Sequence, residues 1–128
     1  MDIDITALVP DSRWSVIFRD SGSWRAGLYR PDAARPEDVT VLERHTCPEL
    51  FVCLQGRAGL VLKNGTDERI VEMAPNQALL VTEYHNGFAI DPEGYFLVIE
   101  RTAFTTEYID RKTGAFIRKV EVKEDTVL

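Results

Sequence analysis

Two histidines are available to the 128-residue chain, His45 and His85, and the first stands close to two carboxylates, Glu43 and Glu49. Imidazole and carboxylate together suit a divalent transition ion such as Zn, Fe, Mn, Ni or Co, whereas Ca and Mg favour oxygen ligands alone. On an extended strand, alternation puts Glu43 and His45 on one face, with Val39 and Val41 continuing it. Beyond a turn at Thr46-Cys47-Pro48, Glu49, Phe51 and Cys53 share one face of the next strand. If both faces look into an apolar interior, the charged groups there need a partner, because burying an unpaired charge is strongly unfavourable. A metal ion supplies that partner, and a set of two histidines and one carboxylate leaves positions open for substrate or dioxygen. A hydrogen-bonded His45–Glu49 pair without metal is the plainer alternative. Glu43 and Tyr84 are the candidate proton-handling residues.

These residues need rigid elements to position them. Short apolar or alternating runs rich in Val, Ile, Leu, Phe and Tyr predict strands over 14–18, 26–29, 39–45, 49–54, 58–63, 69–73, 78–82, 88–90 and 95–100. No segment carries a long helical period. Asn64-Gly65 predicts a hairpin over 58–73, since both residues tolerate positive φ. The prolines of 31–36 predict a surface loop, and Asp91-Pro92-Glu93-Gly94 a turn. A last hairpin is expected around Thr113-Gly114, with 115–122 as an edge strand facing solvent or a partner. The pattern is that of an all-β antiparallel barrel. Phe51, Leu60, Leu62, Leu80, Phe96 and Val98 are its expected core or pocket wall, and Tyr29, Tyr84 and Tyr95 are candidates for the pocket mouth. His85 is the third candidate ligand. Continued extension would put Glu83 on its face, and the following Asn86-Gly87 also permits a surface turn there.

The segment Glu43 to Gly56 resembles the first motif of the cupin superfamily: His45, three residues, Glu49, six residues, Gly56, with Glu43 where the family has a first histidine. Pro75 to Asn86 resembles the second motif, a strand ending in a histidine, without its usual glycine and about two residues shorter. The likeness covers 39–100, with 14–29 and 105–122 as flanking strands. It implies one jelly-roll domain over 1–128, with His45, Glu49 and His85 as metal ligands and Glu43 in the fourth position. It also implies a homodimer, with Trp14, Trp24 and the 115–122 edge as candidate contacts. Three functions follow from it: a metalloenzyme acting on an organic acid, keto compound or sugar derivative; a non-catalytic ligand-binding barrel; and a metal-independent sugar isomerase. For the last, Tyr84-His85 and Tyr108-Ile109-Asp110-Arg111 are loosely similar to nucleotide-sugar ketoisomerases, although the histidine pair of those enzymes is missing.

Composition narrows the partners. A net charge of −6 with scattered Lys and Arg argues against nucleic acid. No run approaches the roughly 20 apolar residues of a membrane span, and Asp2 and Asp4 after Met1 do not resemble a secretory leader, so a cytoplasmic protein binding a small molecule is expected. Cys47 and Cys53 are too few for a disulfide framework and read as reduced thiols.

Overall fold

The computed structural model describes residues 5–90 and 93–124. Residues 1–4, on which the reading of the leader rests, and Asp91 and Pro92 of the expected turn lie outside them. Eleven strands occur among the described residues: β1 (Trp14–Asp20), β2 (Trp24–Tyr29), β3 (Val41–His45), β4 (Glu49–Gln55), β5 (Ala58–Asn64), β6 (Asp67–Met73), β7 (Ala78–Val81), β8 (Tyr84–Ala89), β9 (Tyr95–Arg101), β10 (Phe104–Asp110) and β11 (Phe116–Val122). Among the described residues the helical structure is one 3-10 turn, Pro36–Asp38, and no helix is long and apolar enough to cross a membrane.

All pairings are antiparallel, in a five-stranded sheet ordered β1-β2-β9-β4-β7 and a six-stranded sheet ordered β11-β10-β3-β8-β5-β6. Two sheets with the apolar faces turned together bury the alternating residues of each strand. Along β4 the inward set is Glu49, Phe51 and Cys53, all buried. Phe51 and Cys53 join Leu60, Leu62, Phe96 and Val98 in one cluster. Leu80, expected in that core, is 63% exposed because it lies on the outer face of the short edge strand β7.

The six-stranded sheet is covered on its outer face too. Val39, Leu42, Val61, Phe88 and Ile109 form a second cluster there, with Ala33 packed on it. This is why β5 reads as an unbroken apolar run, with Leu60 and Leu62 facing the interior and Val61 the outer cluster. The predicted surface loop is therefore a cover: Pro31 is buried, Ala33 accepts a hydrogen bond from the Ala89 amide, and Arg111 donates to the Pro36 and Val39 carbonyls. Val39 belongs to this outer layer, not to the face of Glu43, because regular alternation starts only at Val41.

The β5–β6 hairpin forms as expected but closes one residue later. Asn64 pairs with Asp67, Gly65 takes φ +63°, and Asn64 stays out of the left-handed region. A glycine first in a two-residue loop matches the II′ arrangement, whose twist suits the flanking strands. Strand β8 begins at Tyr84, earlier than predicted, and so takes in His85.

Candidate metal centre

At one end of the space between the sheets the apolar filling gives way to a cavity of about 630 Å³. His45 ends β3, Glu49 opens β4, and His85 is the second residue of β8; Glu43 is the direct cross-strand partner of His85. Register thus brings together all four predicted ligands. Glu49 Oε1 lies 2.6 Å from His45 Nε2 and 2.9 Å from His85 Nε2, and Glu43 Oε1 lies 3.4 Å from His45 Nε2. Ligand atoms of Glu43, His45 and His85 fall within 4.8 Å of one another.

Each imidazole is oriented by its other nitrogen. His85 Nδ1 donates to the Glu83 carbonyl at 2.8 Å, and His45 Nδ1 meets Thr106 Oγ1 at 2.7 Å. With Nδ1–H engaged, Nε2 of the neutral ring points into the cavity with a free lone pair, the arrangement that outer partners impose on metal-bound histidines. Phe51 and Phe104 stand edge-on to His85 and His45. Glu49 Oε1 and His85 Nε2 have no properly directed hydrogen bond although both are fully buried. Such orphaned atoms are rare in folded proteins and ask for an explanation. A cation between them satisfies both, so these residues fit a His/carboxylate metal site.

Electrostatics follow from burial and crowding. Burial opposes a charge on His45, but the Glu43 and Glu49 carboxylates close to its Nε2 outweigh it and push its pKa up to about 10. His85 moves up in the same contest, through the nearby Glu49. Burial favours the neutral form of Glu49, yet the two imidazoles close beside it hold its carboxyl well below the usual range.

The sequence reading missed a third carboxylate, Glu100. Leu50 pairs with Ile99, so the next step of that register sets Glu49 beside Glu100. Glu100 forms a second ligand-distance group with His45 and Glu49. Its Oε2 accepts from Arg25 Nε and Nη2 at 2.8 and 2.6 Å, and burial followed by the neighbouring Glu49 drives its pKa upward. Arg25 itself is 1% exposed, with its guanidinium 5.4 Å from the Trp14 ring centroid and 5.5 Å from that of Phe104. Trp14 thus lines the cavity. Trp24 is 43% exposed.

Other expectations are corrected by the direction of strand β8. Tyr84 precedes the inward His85 and points the opposite way, packing on the outer cluster and donating to Glu107, so it is not brought to the cavity. Glu83 turns outward to Arg69. Tyr95 donates to the Leu8 carbonyl, leaving Tyr29 and the unpredicted Tyr108 as the phenols lining the cavity. Arg111 is engaged by Glu68 and by the 31–39 cover, away from the cavity. Cys47 is a buried free thiol packed with Phe104 and Val122, and Cys53 is a free core residue.

No family model and no curated protein matches the chain. Solved structures do. Hydroxypropylphosphonic acid epoxidase from S. wedmorenis superposes with a TM-score of 0.58 at 14% identity, over 69% of this chain and 49% of that one. A cobalt(II) complex of that epoxidase with substrate gives 0.56 at 16% identity, over 78% and 60%. The chain spans about half the length of the epoxidase in the first of these matches. An uncharacterized conserved protein with a double-stranded β-helix domain from Klebsiella pneumoniae gives 0.58 at 11% identity, over 95% of this chain and 99% of that one. The chain has the cupin fold, two antiparallel sheets around an interior site.

Proposed function

We propose that the protein is a metal-dependent cupin enzyme. It holds one divalent transition ion (Zn, Fe, Mn, Ni or Co) on His45, Glu49 and His85, with Glu43 as fourth ligand, and acts on a small polar molecule. The observation that carries this reading is the convergence of the orphaned Glu49 Oε1 and His85 Nε2 on His45 Nε2 at the wall of a cavity. An ion there would polarise a carbonyl or other oxygen of the substrate, or activate dioxygen.

The chain's own residues do the rest. Thr106 and the Glu83 carbonyl keep both imidazoles aimed inward. Phe51 and Phe104 shield the ring edges from water. The Glu43 side chain is 27% exposed against 6% for Glu49, so it is the more accessible of the two and the one that would take a proton from bound substrate. Arg25 and Glu100 pack behind Glu49 and fix its position. Free Cys47 and Cys53 support a cytoplasmic setting. Exposed Phe116 and Ile117 on edge strand β11 support a homodimer.

Elemental analysis of protein purified without a histidine tag tests the reading. The wild type is expected to hold close to one transition ion per chain, and His45→Ala and Glu49→Gln to hold none. Wild-type protein that stays metal-free after exposure to each of the five ions overturns it.

A further inference from the structure

One row of side chains crosses the six-stranded sheet toward the cavity. Arg118 on β11 pairs with Tyr108 on β10, Tyr108 with Glu43 on β3, and Glu43 with His85 on β8. All four line the same cavity. At about 4.8 Å between neighbouring strands, Arg118 stands two strands or about 10 Å from Glu43 and three or about 14 Å from His85 along the backbone. Arg118 is exposed at the cavity's mouth, with its guanidinium 4.6 Å from the Tyr108 ring centroid, which places the charge beside the phenol.

Three arginines line this cavity. Arg25 is matched by Glu100 and Arg13 by Asp32. Arg118 has no carboxylate partner among the described residues and rests on an aromatic face. In a molecule of net charge −6, an arginine in a cavity with no acid beside it is a vacant position for a ligand's negative charge. Guanidinium with an adjacent hydroxyl supplies the planar donor set that carboxylates and phosphates take.

We propose that Arg118, with the Tyr108 hydroxyl, determines specificity for a substrate that carries an oxyanion, a carboxylate or a phosphate, at the end remote from the histidine–glutamate cluster. The inference rests on the metal-site reading for the other end of the substrate, and the two fail separately.

The test compares 2-hydroxyglutarate and 3-phosphoglycerate, each with a charged tail, against the neutral-tailed 2-hydroxyvalerate. Binding is read by calorimetry on Zn-loaded and metal-free protein, wild type and Arg118→Gln, with bound zinc measured in parallel. In wild type either charged compound is expected to bind at least about tenfold tighter than 2-hydroxyvalerate, the scale of one charge-assisted contact. Arg118→Gln erases that preference while its zinc content stays at the wild-type value. Which charged compound binds tighter identifies the oxyanion. No tail preference in wild type, including no binding of any compound, overturns the inference, as does a preference that survives Arg118→Gln. A preference without zinc binding sustains the arginine's role and fails the metal reading instead.

Discussion

Loading the site with metal has to displace protons. Glu49 Oε1 lies 2.6 and 2.9 Å from the two imidazoles. Despite burial, His45 is raised from its ordinary 6.5 to about 10 by Glu43 and Glu49, and His85 is raised by Glu49. For His45 a value near 10 means a ring protonated at pH 7, and a protonated Nε2 has no lone pair to give. Binding at pH 7 should therefore release at least the His45 proton. For His45 the gap of about three pH units makes the proton a competitor worth roughly a thousandfold, or about 4 kcal/mol, in apparent affinity. Apparent affinity should climb with pH by at least about tenfold per unit around neutrality and flatten as pH passes the raised His45 value. The assay is zinc titration calorimetry in buffers of different ionisation enthalpy, where the slope of observed enthalpy against buffer enthalpy counts the protons. A slope near zero, or an affinity level between pH 6 and 8, would refute the protonated His45.

Three more outcomes are expected. Without metal, the stabilisation from charged His45 is complete below its unfolded value of about 6.5 and lost as pH rises through about 10, so urea midpoints of the metal-free protein should fall between pH 7 and 10; midpoints that rise would show that the Glu43 and Glu49 contacts do not hold the charge. A Cβ on Gly87 would stand 2.8 Å from Tyr29 Cε2 and Oη and 3.1 Å from Pro31 Cγ, so Gly87→Ala should cost about 1–3 kcal/mol through crowding, which in a chain of this length lowers Tm by about 4 °C per kcal/mol; an unchanged melting curve contradicts that packing. Tyr84→Phe removes only the bond to Glu107 on the outer face, and its metal content should equal that of the wild type by elemental analysis; loss of metal would mean Tyr84 reaches the cavity after all.

Much of this was legible because local pattern and tertiary demand agree. The alternation in Glu49-Leu50-Phe51-Val52-Cys53 gave the inward face of β4, and a histidine four residues before its first member predicted the pair that meets at 2.6 Å. What was missed depends on partners far along the chain. Nothing near Glu100 announces Arg25, 75 positions away, or that register will set it beside Glu49. Tyr84 went wrong by one residue, since a shift of one in a strand reverses every face. Tyr108 and its cross-strand partner Arg118 are the last pair before a strand irregularity between Tyr108 and Ile109, past which simple alternation no longer tells inside from outside. Leu80 shows the converse: an apolar residue in a strand goes outward when its strand is at the sheet's edge.

The strands that carry Glu43, His45 and His85 occupy the two middle places of the six-stranded sheet, and the 31–39 cover closes their outer face. Fraying begins at edges, so β11 and β6 can open and reclose many times while β3 and β8 stay paired. An ion held by the middle strands is then insulated from the breathing of the barrel, and its route in or out runs through the mouth beside Tyr108 and Arg118. Exchange of a bound ion should accordingly be slow, and sensitive to what sits at that mouth more than to the overall stability of the protein.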